Sequence, residues 1–244
     1  MRGFRFGASA FLAAACLAGG TPAIAAPAAE ISPEQARANL DAAFNERSRG
    51  NLAGVVALLD PIIATFDGMQ TRQASYCAQN DQQAMLIVLN AATKTDKGQN
   101  SAPNGKTVVV DEAYCAALFL KGFVLIDMGR AAEAENFLRR AHEAEPYNAH
   151  FLNELAEWYK SARQWQRAHD LFAEAVETSE YADEKNKGAF RARGLRGMGF
   201  TEIEMGKLDE AERHMRESQK YEPDSAAARQ ELDYIASLRK RPST

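Results

Sequence analysis

The sequence predicts an all-α fold assembled from repeated helical hairpins. Three observations predict it. Ala, Glu, Lys and Arg are abundant and β-branched runs few, a composition that favours helix. Small residues recur at fixed offsets through the second half of the chain. Glycines and prolines fall where paired helices would have to end. With 46% apolar and 25% charged residues, most of the 244-residue chain has the composition of a folded protein.

Residues 1–26 read as a leader rather than as part of the fold. Arg2 and Arg5 precede the apolar stretch GASAFLAAACLAGG, which is too short to span a bilayer as a mature helix. Ala23 and Ala25 then stand as an A-x-A cleavage site requires, the layout of a secretory signal peptide cut after Ala25 or Ala26. The alternative is a lipoprotein anchored through Cys16. Against it, Ala13 occupies the place where bacterial lipoprotein signals usually carry Leu. Without the leader, 27 basic residues face 33 acidic ones, a net charge of −6. No later stretch approaches 18 uncharged apolar residues, so the expectation is a soluble periplasmic or secreted protein. Apart from Arg239-Lys240-Arg241 there is no basic block, which excludes a nucleic-acid footprint.

Residues 27–110 read as diverged helical hairpins and a loop. Ser32 is an N-cap followed by Pro33 at the first helical position, with Glu34 close behind. Gly50-Asn51 makes a turn into a second helix that Pro61 should bend or interrupt. A further helix is expected from about Met69 to Ala92, with Asn80-Asp81 as its natural breaking point. KTDKGQNSAPNGKT is turn-rich, and Asp111 is placed to cap the helix that follows VVVDEA.

Residues 111–226 carry the repeat. Gly122, Ala134 and Ala141 occupy small-residue slots with offsets of 12 and 7, and Pro146 follows. Thirty-four residues on, Ala156, Ala168 and Ala175 fill the same slots. Another 43 on, Gly199, Ala211 and Ser218 fill them again, with Pro223 after. That spacing describes two helices touching through small residues. Leu118 and Leu125, then Leu152, Leu155 and Tyr159, then Leu195 and Met198 supply the bulk. Gly129 and Gly206 end the first helices and Pro146 and Pro223 stop the second. DSAAARQELDYIASLRKR, residues 224–241, spaces Ala227, Leu232, Ile235 and Leu238 as a capping helix needs, and 227–244 reads as that helix and a tail.

The pattern resembles the tetratricopeptide repeat (TPR), whose period is 34 residues. Residues 115–148, 149–182 and 192–225 match in turn. Lys121 stands in a usually apolar slot, Glu180 replaces the second unit's terminal proline, and Arg163-Gln164-Trp165 forms a turn without glycine. The resemblance implies a right-handed superhelical solenoid, of about five hairpins here, whose first helices line a concave groove for a partner helix or peptide. Carried over residue by residue, the groove positions are Phe119, Phe123, His150, Asn153, Glu157, Lys160, Arg193, Arg196 and Phe200. Such a set suits apolar anchors and an acidic group on the partner. The bland reading buries Phe119 and Phe123 against the preceding hairpin and leaves the cations as a solvated face. The carboxylate-clamp variant of the family is not reproduced, because phenylalanines stand where it needs Lys and Asn.

Cys77 and Cys115 sit in two copies of Tyr-Cys-Ala, 38 residues apart and both expected near first-helix starts. No CxxC or HxxxH pair accompanies them and the four histidines are scattered, so neither a metal nor a redox centre is expected. An exported chain favours a disulfide, with two reduced, buried cysteines as the alternative. The insertion ETSEYADEKNKGAF reads as a helix extension or surface loop, with an adaptor role the weaker option. No nucleophile–base motif, phosphate-cradling loop or carboxylate pair stands out, so no catalytic residue and no cofactor is expected. The sequence thus leads to a non-catalytic protein-binding scaffold of the cell envelope. Its alternatives are a lipid-anchored subunit of an envelope assembly machine and, last, a small-ligand binder or enzyme.

Overall fold

The computed structural model describes residues 30–96 and 103–240; the leader, with Cys16, lies outside the described residues. Four antiparallel hairpins form the body. They are α1 (Pro33–Ser48) with α2 (Leu52–Gln70), α4 (Glu112–Asp127) with α5 (Ala131–Ala144), α6 (Ala149–Ser161) with α7 (Trp165–Thr178), and α8 (Glu184–Glu204) with α9 (Leu208–Ser218). A final helix, α10 (Ala226–Arg239), covers the last hairpin. The all-α repeat solenoid is the observed fold class.

Local signals place each boundary. Ser32 caps α1 with a reciprocal box, its hydroxyl accepting from Gln35 N while Gln35 Oε1 accepts from Ser32 N. Asp111 caps α4 by accepting from Ala113 N. Each first helix ends in one motif. Gly50, Gly129, Arg163 and Gly206 all have positive φ, and the next amide reaches back five residues to a carbonyl of the last turn. Inside the hairpins the small-residue slots do what their spacing predicts. Ala134, Ala141, Ala156, Ala168, Ala175 and Ala211 are fully buried, and a side chain at Gly122 would meet Leu138 at 2.7 Å. Lys121 is tolerated because its ammonium leaves the interior, bonding Asp60 Oδ1 at 2.6 Å and lying over the Phe137 ring.

The structure corrects the reading of residues 69–110. Among the described residues the helix expected from about Met69 to Ala92 is not continuous: α2 ends at Gln70, β1 (Ala74–Cys77) follows, and α3 (Asp81–Asp96) starts at the expected breaking point Asn80-Asp81, with β2 (Thr107–Val110) before α4. The strands pair in parallel, Ala74 with Thr107 through Cys77 with Val110. Three consecutive valines, Val108–Val110, prefer the pleated conformation, and residues 74–77 are the partner within reach. Gln70, at the end of α2, brackets the first strand by accepting from Ser75 N and donating to Ser75 O. So there are four hairpins rather than five among the described residues. Pro61 lies within a continuous α2 rather than interrupting it. In α10 the buried residue is Ala228 instead of the expected Ala227, joined by Ile235.

Parallel pairing also positions the cysteines. Cys77 ends the first strand opposite Val110, and Cys115 lies in the first turn of α4 just after the second strand. Cys77 is therefore on a strand, not at a helix start. The two are joined in a disulfide, with Cα atoms 6.2 Å apart and both residues fully buried. The 177–190 insertion is a buttress. A 3-10 turn at Ser179–Tyr181 leads into an α8 of 21 residues, against 13 in α6. Tyr181 O there accepts from Asn80 Nδ2 and Gln83 Nε2, tying the insertion to the start of α3.

Candidate functional site

Aromatic side chains of the first helices α4, α6 and α8 meet in one cluster. Phe119 and Phe123, one turn apart on α4, meet with centroids 5.0 Å apart. Phe119 also lies 4.9 Å from the His150 ring and stacks on Phe151 at 4.3 Å. His150 in turn stacks on Phe190, at 5.6 Å, from the N-terminal extension of α8. Phe119, Phe123 and His150 are half-buried, so the floor is reachable without being solvent-flooded. Burial pushes the His150 imidazole below its ordinary value despite the Glu154 carboxylate, leaving a neutral ring against its aromatic neighbours.

Towards the C-terminal end the face deepens into a cavity of about 260 Å³ lined by Glu157, Lys160, Arg193, Arg196, Phe200 and Glu231. Five of these six are groove positions named from the sequence; Glu231 comes from α10, which closes the end. The cations are not free. Arg193 is bound to Glu154, Lys160 to Glu157, and Arg196 to Glu222 at 2.5 Å. The Lys160 ammonium also lies 4.9 Å from the Phe200 ring centroid. A basic rim awaiting an acidic partner is therefore not what the fold presents.

Asn153 needs a different correction. It is fully buried and donates from Nδ2 to Ala149 O and Phe190 O, so it ties α6 to α8 instead of meeting a partner. Sequence reasoning missed Phe151 and Phe190 because neither holds a repeat-slot position. It missed Glu154 and Glu222 because their ion partners are 39 and 26 residues away.

At the N-terminal end a second cavity, of about 370 Å³, is bordered by α1, the start of α4 and the α5–α6 turn. Glu145 reaches it from that turn, its Oε1 accepting from Asn148 Nδ2 at 2.9 Å. Burial pushes the Glu145 carboxyl up to about 8. The ligating atoms of Cys77, Cys115 and Glu145 lie within 4.8 Å of one another. With both sulfurs consumed by the disulfide, only the carboxylate is left as a metal donor, and a single donor does not make a metal centre.

Comparison with known proteins agrees with the architecture. Residues 110–204 match the family described as Psidin, N-terminal TPR repeats region. No curated protein sequence matches the chain. Among solved structures, PilF of Pseudomonas aeruginosa is 14% identical, with a TM-score of 0.53 over 85% of this chain and 70% of that one. MamA of Desulfovibrio magneticus RS-1, from residue 41, is 11% identical, with a TM-score of 0.54 over 84% and 86%. At such identities the likeness is one of fold, a TPR-type helical repeat.

Proposed function

We propose that this protein is a non-catalytic scaffold of the cell envelope that holds a helix or extended segment of another protein in the groove of its first helices. The observation that carries the reading is the aromatic floor. Phe119, Phe123 and His150 converge with Phe151 and Phe190; Phe119 and Phe123 pack against the core on one side, and they and His150 remain half-buried. Aromatic side chains in a concave, partly desolvated setting are what a partner's apolar anchors bury against. Placement in the envelope rests on the leader-like residues 1–26. It is supported by the disulfide, which an oxidising compartment would preserve.

The test is site-specific photocrosslinking. A benzophenone side chain is placed at Phe123 or Phe200 in the groove, and at exposed Glu174 or Arg213 on second helices, and the protein is exposed to native envelope extract. Adducts to one discrete protein from the groove positions alone are expected. Adducts from Glu174 and Arg213 with none from the groove would refute the assignment. Intact-mass measurement of the mature N-terminus separates a cleaved, soluble form from one lipidated at Cys16.

A further inference from the structure

The N-terminal cavity gathers carboxyl groups that the protein itself pairs incompletely. Arg37 is the one cation on its wall, and it is committed to Asp111, with Nε and Nη2 at 2.9 and 2.8 Å from Oδ2. Asp41 borders the same cavity and forms no salt bridge among the described residues, while Glu112 has only the through-space attraction of Arg37. Glu145 is only 2% exposed and opens onto the cavity, yet its carboxyl group has a single hydrogen bond, from Asn148.

A carboxyl group is almost never buried without a cationic partner unless something else meets it. Its contact with Asn148 clasps the turn before α6, but a neutral Gln would accept that hydrogen bond equally well. The clasp therefore explains a polar side chain and not an acidic one. The opposite end of the groove gives the contrast, because Lys160, Arg193 and Arg196 are each neutralised from within the fold. The incompletely paired groups along the groove are thus acidic and lie at the N-terminal end. Phe151 joins this cavity to the aromatic floor, since it lines the cavity and stacks on Phe119.

We propose that this cavity is a subsite for a lysine or arginine side chain of the bound segment, with Glu145, Glu112 and Asp41 as its counter-charges and a neighbouring apolar residue on the Phe119–Phe151 floor. The inference rests on the groove reading and gives the partner a polarity: basic at the α1 end, apolar at the centre. Entry of the cation would ionise Glu145 and replace the neutral acid with a desolvated, charge-assisted pair, the strongest class of hydrogen bond available there.

The experiment is a selection from a random dodecapeptide library displayed on phage, using the purified protein as bait. Affinities of the enriched peptides are then measured by fluorescence anisotropy. The expected result is enrichment of Arg or Lys next to an aromatic or aliphatic residue. Those peptides should weaken at least tenfold against Glu145→Gln/Glu112→Gln, and when their basic residue is replaced by citrulline or norleucine. Glu145→Gln keeps the clasp to Asn148. Asp41→Asn, at an exposed position, provides a second variant without risk to the fold. Peptides that depend on Phe119 and Phe123 but carry no basic residue, or bind the Gln variants equally well, would overturn the subsite and leave the groove standing. Peptides indifferent to both sets of substitutions, or no enriched peptides at all, would overturn the groove reading and the subsite with it.

Discussion

Arg163 provides a direct measure of what one turn does for this solenoid. It holds the position that Gly50, Gly129 and Gly206 hold in the other hairpins, with φ +56° against +76°, +75° and +76°. The hydrogen bonds are the same in kind, Arg163 N to Lys160 O and Gln164 N to Tyr159 O, both at 3.0 Å. An L-residue in this left-handed region costs roughly 1–2 kcal/mol, because its Cβ crowds the following carbonyl. The Arg163 side chain is exposed and has no hydrogen bond or ion pair among the described residues, so replacing it removes no other contact. Glycine would relieve the crowding but loosens the unfolded chain, an offset of about 0.4–1 kcal/mol. Arg163→Gly should therefore stabilise the protein by about 0.5–1 kcal/mol, raising Tm by about 1–4 °C for a chain of this size. The mirror experiment is Gly206→Ala, where an added Cβ would meet nothing within 4 Å and the backbone angle alone is charged against it. It should lose about 1 kcal/mol. Urea unfolding monitored by circular dichroism, with the slope unchanged, reads both. If Arg163→Gly is destabilising while Gly206→Ala behaves as stated, the Arg163 side chain has a role that the turn geometry does not reveal.

Three further outcomes test the packing and the buried charges. Removing the disulfide with Cys77→Ala/Cys115→Ala should lower stability by up to about 4 kcal/mol, the chain-entropy value for a loop of this length, and equal Tm values for oxidised and reduced wild type would contradict it. Gly197→Ala would set a Cβ 2.4 Å from the Phe172 ring and should cost about 1–3 kcal/mol, whereas Gly188→Ala, with nothing within 4 Å, should be neutral or gain up to about 1 kcal/mol in thermal melts. Glu202 lies between two imidazoles, 3.0 Å from His169 Nε2 and 2.7 Å from His214 Nδ1. The hydrogen bond to Glu202 holds His169 above its ordinary value. Burial pushes Glu202 upward, but the two histidines outweigh it and hold that carboxyl low. His169 therefore stabilises fully below 6.5 and loses this as pH rises through its folded value. Glu202 stabilises fully above 4.5 and loses this as pH falls through its folded value. Glu145, raised by burial to about 8, stabilises fully below 4.5 and loses this as pH rises from there to about 8, steepening the fall above the optimum. Melting across pH 4–9 should peak between about 4.5 and 6.5, with His169→Gln and Glu145→Gln each flattening the alkaline limb; a flat profile in wild type would refute the assignment.

The hairpins were legible from sequence because they are local. Small residues 12 and 19 apart record a helix, a turn and the returning helix, and an αL glycine records the turn itself, so Gly122, Ala134, Gly129 and Gly206 could be assigned without any distant contact. The central groove residues followed by analogy with the repeat, and five of them do line one cavity. Other features depended on partners the chain meets only after it folds. Val108–Val110 have a strand propensity that an all-helical reading passes over, and their mate at residues 74–77 is fixed by Gln70 and the parallel register. The basic residues of the groove looked available because Glu154 and Glu222 lie a repeat away in sequence and within hydrogen-bond reach in space. Analogy with the repeat assigns Asn153 to the groove, but the extended α8 brings the Phe190 carbonyl within reach of its amide. Periodicity in the amino-acid sequence thus determined the helices and the faces they bury, since each is set by neighbours within about two turns. Only the tertiary structure decided which charges are spent inside the fold, as at Arg193 and Arg196, and which carboxyl groups, Glu145 and Asp41, meet no cation among the described residues, because pairing depends on distance in space.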